Sequence, residues 1–352
     1  MRRFVFCISL ISLLLSGFNS QSQTVRETSS PKVTIENQTN RVNILVDGEL
    51  FTSYIWPRNI MKPVLYPVIA ANGTEITRGY PLAPRAGERV DHPHHAGIWF
   101  NYGDVNRYDF WNNSDAIPKD KKGGYGTIVH DKIGKIKQGK ESASFQATAS
   151  WIDANGLKLL TEQTQFIFEV TDHVRIIDRI TTLTTGKDTV FMNDNKEGLI
   201  AIRVARQFEL PSKEEAILTD SNGNATTVKA MNNDGVTGSF LSSEGIKDEA
   251  VWGTRGQWME LSGKINNDDV SIVLCDHHKN IGFPTYWHAR GYGLFAANPL
   301  GWSVFTQGEE KLNFRILPHQ SITFRYRFVI VSGHKPNPKT IEDYYKTFNL
   351  KY

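Results

Sequence analysis

Residues 142–185, "SASFQATASWIDANGLKLLTEQTQFIFEVTDHVRIIDRITTLTT", constrain the fold more than any other part of the chain. Apolar and β-branched residues alternate with polar ones, and no apolar stripe repeats at helical spacing. The stretch reads as a meander of long antiparallel strands, with Asn155-Gly156 at one turn. The same pattern begins at "KVTIEN". It continues through "VNILVDGELFTSYIW", where Asp47-Gly48 marks a hairpin, and "PVLYPVIAANGTEITRGYPL", where Asn72-Gly73 marks another. It resumes in "VSIVLCDHH", "GYGLFAANPLG" and "SITFRYRFVIVSG". Only "NPKTIEDYYKTFN" has helical spacing, with Ile341, Tyr344, Tyr345 and Phe348 on one face and Asn337 or Thr340 as cap.

Long strands joined by tight turns predict an all-β fold: a large antiparallel β-sandwich of the galactose-mutarotase-like supersandwich type, with a jelly roll as the alternative. No repeat or linker divides the β region, so one sandwich domain is expected over 32–335, followed by a short C-terminal helix over 336–352. A hydrophobic fraction of 39% supports a large core without staples.

The opening "MRRFVFCISLISLLLSGFNSQSQT" has an arginine pair, a short apolar run and a small, polar exit. It reads as a secretory signal peptide over 1–23, with a polar linker over 24–31. Removing it leaves Cys275 as the lone cysteine, which rules out an internal disulfide and a cysteine zinc site in the mature chain. A periplasmic or secreted bacterial protein is expected, with no membrane span in the mature chain. The net charge of +3, with no basic run, argues against nucleic acid as a partner.

Chemistry-bearing residues fall in clusters. "VDHPHHAGIWFNYGD" carries Asp91, His92, His94, His95, Trp99 and Asp104. "DHHKNIGFPTYWHARGYGLFAANPLG" carries Asp276, His277, His278, Tyr286, Trp287, His288 and Arg290. "VWGTRGQWMEL" adds Trp252, Arg255 and Trp258, and "NDNKEGLIAIRVAR" adds Glu197, Arg203 and Arg206. Six of the ten histidines lie in the first two clusters.

Two functional readings compete with plain burial. In the acid–base reading His94, His95 and His288 move protons with Glu197 or Asp276 as carboxylate partner. Arg255, Arg290, Tyr286, Trp287, Trp99 and His92 then bind substrate. In the metal reading, ligands come from His92, His94, His95, His277, His278 and His288, and a divalent metal is the one cofactor these residues would hold. On an extended segment His92 and His94 point one way and His95 the other, so all three meet only if the chain turns at Pro93. No cupin or metalloprotease pattern is present. Any one of these histidines or tryptophans is equally explained by packing. Arg203 and Arg206 read as solvent-facing or carboxylate-paired, and Cys275 as inert packing.

The segments "DHPHHAGIWFNYGDVNRYDFW", "KEGLIAIRVAR", "VWGTRGQW" and "PTYWHARGYGLFAANPLG" resemble a family of secreted bacterial proteins labelled "methane oxygenase PmoA-like", over Pro31 to Gly333. The resemblance implies a secreted protein of bacteria rich in polysaccharide-degrading systems, hence a small carbohydrate substrate. The expected function is a periplasmic carbohydrate-active enzyme of epimerase, lyase or hydrolase type. The alternatives are a non-catalytic sugar-binding module and a histidine-ligated metal enzyme, including an oxygenase. A shared site requires the fold to bring Val90–Asp104 beside Asp276–Arg290.

Overall fold

The computed structural model describes Met1 and residues 30–352. The expected signal peptide and nearly all of the expected linker lie outside the described residues. The meander forms as read: Ser142–Ile152, Lys158–Val170 and Val174–Thr185 pair in succession, and Gly156 takes the turn at φ +84°. One sheet runs in spatial order Thr127–Lys140, the three meander strands, Ser321–Ser332, Asp268–Asp276, Trp258–Ile265 and Ser239–Ser242. The other runs Lys32–Gln38, Arg41–Val46, Glu49–Ile55, Val64–Val68, Ile98–Tyr102, Gly198–Arg203, Leu294–Asn298, Thr285–Arg290 and Arg255–Gly256. All these pairs are antiparallel, and the sheets join where Val33 faces Gly139. The large antiparallel β-sandwich is the fold.

Alternation along each strand sends one set of side chains between the sheets. Phe51 meets Phe168 at 5.9 Å, and Phe100 meets Trp151 and Phe324 at 6.3 and 5.8 Å. The interior also holds a charge. Arg179 lies over the rings of Phe100 and Phe166 at 4.9 and 5.1 Å and bonds Glu162 at 2.7 Å. The Trp151 indole N–H donates to the other Glu162 oxygen at 2.9 Å.

The helix spans Pro338–Lys351, and of the two expected caps Asn337 serves, accepting the Thr340 N–H at 3.0 Å. Ile341, Tyr345 and Phe348 cover Val273, Cys275, Val329 and Val331 on the outer face of the first sheet. Cys275 is fully enclosed there, and burial pushes its thiol up. Trp258, one of the tryptophans with a flat face to offer, instead donates to Glu342 of this helix at 3.0 Å.

The turn expected at Asn72-Gly73 forms, with Gly73 at φ +82° and the Ala70 N–H donating to the Thr74 carbonyl at 2.8 Å, but its returning arm does not lengthen into a strand. After Val64–Val68 only isolated bridges form, Ile69 with Glu75 and Thr77 with Val204. Pro81, Pro84 and Pro93 cannot donate to a ladder, so residues 69–97 cross the outer face of the second sheet as a loop. That loop carries the histidines. Register sets what lies beneath it: Trp99 faces Ala201, Ala201 faces Ala296, and Ala296 faces His288 across four neighbouring strands. Arg203, Leu294 and Arg290 form the next row of three.

Candidate active site

Pro93 does turn the chain. The His95 N–H donates to the His92 carbonyl at 2.9 Å, and His92 adopts φ +41°. The turn stacks rings rather than aiming nitrogens. Tyr292, His92, His95 and Trp99 form a column, with successive centroids 5.1, 4.8 and 5.1 Å apart and planes within 20°. His94 stands edge-on to His92 and His95. Gly97 ends the turn at φ +60°, and a Cβ there would lie 2.1 Å from the Leu65 carbonyl oxygen, so only glycine fits.

Charges lock the loop. The Arg78 guanidinium donates to the carbonyls of His92 and His95, both at 3.0 Å, and to Asp91 at 2.5 Å. Arg203, also buried, donates to the same Asp91 oxygen at 2.8 Å. Burial opposes ionisation of Asp91, but the His92 hydrogen bond and the charges of Arg203 and Arg78 hold its carboxyl well below the usual range. Arg203 therefore pairs with a carboxylate, as one of the two readings had it, but inside the protein. Lys62, buried, donates to the His94 carbonyl at 2.7 Å, and burial pushes its ammonium down to about 7.

His95 has no free nitrogen to work with. Its Nε2 accepts the Trp111 indole N–H at 3.2 Å, and its Nδ1 faces the Arg203 guanidinium at 3.3 Å. Both neighbours are donors only, so a protonated ring is opposed on both sides. Burial, then the nearby positive charges, holds His94 and His95 well below the usual histidine range. His95, with both nitrogens faced by donors, is not placed to move substrate protons, whereas His94 Nε2 is buried with no hydrogen-bond partner among the described residues. His95 braces Trp111, which lies between the column and His288.

His288 differs. Its Nδ1 lies 2.8 Å from the Lys196 carbonyl, which only accepts, so Nδ1 carries the proton and Nε2 keeps its lone pair. The Glu197 carboxylate is 3.8 Å from Nδ1 and itself pairs with Lys196 at 2.8 Å. Burial pushes His288 down to about 4, with Glu197 opposing. Its ring stacks 6.4 Å from Trp111, and Phe305 lies 6.5 Å away on another side.

An aromatic strip borders it. Tyr286 stacks on Phe305 at 5.0 Å, and Phe305 meets Trp252 at 5.5 Å. Arg255 lies over Tyr286 at 4.9 Å and Trp302 at 5.2 Å, and Arg290 over Trp252 at 5.8 Å. The Arg255 guanidinium is tied to the carbonyls of Pro284 and Gly282, each at 2.9 Å. Clefts of about 440 and 500 Å³ open elsewhere, one along Gln146, Gln163 and Gln165, the other between Trp56, Met61, Lys62 and His130. Volume does not select the site; the orientation of ring nitrogens does.

The second cluster is split. Asp276 closes a strand of the first sheet, and Thr285 opens a strand of the second. Asp276 is fully buried, accepting from Asn280 at 2.7 Å and from the His277 N–H at 3.0 Å. His277 packs edge-on to Phe348, and His278 bonds Asn349, both in the C-terminal helix. These three residues therefore leave the shared site, and Asp276 is not the carboxylate partner of His288. Trp287 faces the interior core and Trp99 is wholly buried, so neither presents a face to substrate. Among the described residues, no three His, Cys, Asp or Glu side chains gather as a metal-ligand set. Arg78, Tyr292 and Phe305 border the candidate site, and the sequence reading missed them. The "TRGYP" segment that carries Arg78 looks like an ordinary turn.

Burial raises Asp276 to about 7. A raised carboxyl stabilises the fold fully below its unfolded value of about 4, and that contribution is lost as pH rises through 7. Asp276→Asn should therefore gain melting temperature relative to the parent on going from pH 5 to pH 8. A difference that stays constant across that range would show that the carboxyl is ionised throughout.

Fold and site together define a large antiparallel sandwich protein with a loop-built histidine and aromatic site on the outer face of one sheet. The chain belongs to the family of unknown function DUF6807, whose model matches residues 41–346. That match replaces the "methane oxygenase PmoA-like" resemblance: the family model carries no such label, and nothing in the fold supports it. No curated protein matches the sequence. In structure the chain is similar to a GH36 alpha-galactosidase from Geobacillus stearothermophilus, at 12% identity and a TM-score of 0.39, over 85% of this chain and 40% of that one. The chain thus spans about two fifths of that protein's length. It is similar to a putative aldose 1-epimerase from Escherichia coli K12 at 8% identity and TM-score 0.30, covering 85% of this chain and 99% of the other. It is also similar to a galactose mutarotase-like protein from Clostridium acetobutylicum at 9% identity and TM-score 0.35, covering 86% and 98%.

Proposed function

We propose that this chain is a periplasmic carbohydrate-active enzyme in which His288 Nε2 takes a proton from a bound sugar. One observation carries the reading: the Lys196 carbonyl fixes the His288 tautomer, leaving the lone pair on Nε2. A neutral imidazole with its other nitrogen tied down is an oriented general base. Glu197, 3.8 Å from Nδ1, stabilises the imidazolium that forms. Phe305 and Trp252, each partly exposed, supply flat apolar faces for a sugar ring, and Tyr286, buried between Phe305 and Arg255, backs them. His95, stacked on His92 and edge-on to His94, serves as a positioning residue, holding Trp111 beside His288. The amino-terminal signal-like segment supports the periplasmic assignment.

The test is proton exchange. Purified protein is incubated in D₂O with a panel of sugars and methyl glycosides and followed by ¹H NMR. Loss of a sugar C–H signal, or product formation, is expected with the parent and is absent with His288→Gln. Binding of sugars with neither exchange nor turnover would make the protein a sugar-binding module, a reading that the half-buried aromatic strip also accommodates.

A further inference from the structure

We infer that the sugar taken at the His288 site is anionic, a uronic acid or its glycoside, and that Arg290 holds its carboxylate. The inference rests on the reading of His288 as the working group of a sugar site.

Cations at this site outnumber the carboxylates that could neutralise them. Arg78 and Arg203 share the single carboxylate of Asp91. Lys196 takes Glu197. Arg255 and Arg290 sit at the two ends of the aromatic strip, and neither has a carboxylate within 4 Å among the described residues. A carboxylate that reaches the backbone beside Arg290 is that of Glu249. It lies against Gly291, where a Cβ would come within 2.2 Å of it, yet it forms no ion pair with Arg290.

The two arginines differ in what they offer. Arg255 is committed: two carbonyls and two rings hold its guanidinium. Arg290 is exposed, and it lies two residues from His288 on the same face of the same strand. A guanidinium in that position matches a carboxylate with two parallel N–H bonds, while Trp252 beneath limits its motion. A sugar ring lying on the strip would put its carboxylate on Arg290 and a ring carbon near Nε2. The C–H on the carbon next to the carboxylate is the most acidic C–H of such a sugar: as Nε2 takes its proton, the electron pair passes into the carboxylate held by Arg290, and return of a proton to that carbon completes the exchange.

The test compares methyl β-D-glucuronide, methyl β-D-glucoside and acetate by titration calorimetry and ligand-observed NMR. The proteins are the parent, Arg290→Gln and His288→Ala, each checked for a cooperative melting transition above the temperature of the assay. The parent is expected to bind the glucuronide about tenfold more tightly than the glucoside, one charge-assisted contact's worth. Arg290→Gln is expected to bring the two within about twofold, and His288→Ala to keep the preference. Equal binding by the parent, or a preference that survives Arg290→Gln, overturns the inference and leaves the His288 reading standing. Acetate binding as tightly as the glucuronide overturns it as well, since the site would then read the anion and not the sugar. No binding of either sugar takes down the sugar-site reading itself, and the inference with it.

Discussion

Glu162→Leu is expected to destabilise the protein by about 3–5 kcal/mol, the cost of leaving one member of a buried ion pair without its partner. Glu162 and Arg179 are 6% and 6% exposed, inside the sandwich, and bonded at 2.7 Å. Removing the carboxylate strands the Arg179 charge between Phe100 and Phe166 and leaves the Trp151 N–H unpaired. Arg179→Met alone should cost a similar amount, because Glu162 is then the uncompensated charge. The double variant Glu162→Leu/Arg179→Met should recover part of the loss, since an apolar pair replaces the ion pair at little net cost while the Trp151 N–H stays unpaired. Urea midpoints of the four proteins measure this cycle. A double variant no more stable than either single one would mean that the pair is needed for its own sake, to hold the register of the meander.

His288→Ala should lower turnover about 10²–10⁴-fold, the usual contribution of a positioned proton-transfer group. The pH profile carries the assignment further. Activity requires neutral His288, so the acid limb should fall around pH 4, where burial sets its titration. Glu197→Gln removes the carboxylate that raises that value, so the limb should move to lower pH. Stability follows the same group. A histidine depressed in the fold contributes fully above its unfolded value near 6.5, and the contribution is lost as pH falls toward 4. His288→Ala should therefore unfold less steeply with acid than the parent over that window. A limb that stays near pH 6.5, or ignores Glu197→Gln, would remove His288 from the proton path.

The strands were legible because a period of two is a local property. Ser142–Ile152 or Ser321–Ser332 can be read without knowing what they pair with. The site was only half legible, for reasons of connection. "DHHKNIGFPTYWHAR" looks like one motif, but the chain changes sheets within it. Gly282, at φ +74°, packs so closely that a Cβ would lie 2.2 Å from the Pro299 carbonyl oxygen. The residues before that crossing serve the C-terminal helix, and those after it serve the site. The approach of His288 to the first histidine cluster depends on strand order, which no short-range pattern encodes. Equally hidden was the group that fixes the His288 proton, because it is a main-chain carbonyl and any residue at 196 would provide it.

The row Trp99, Ala201, Ala296, His288 has a consequence for how such a protein could change its substrate. Two methyl groups form the floor of the Trp111 berth, with the reactive ring at one end and the histidine column at the other. The column acts as a buttress, and Trp111 as a spacer whose height the two alanines set. A single added carbon at either one would tilt the spacer and re-shape the mouth above His288, with no charged or hydrogen-bonding group altered. If His288 is the working base, selectivity and reactivity would reside in separate residues, and the first could drift while the second stays fixed.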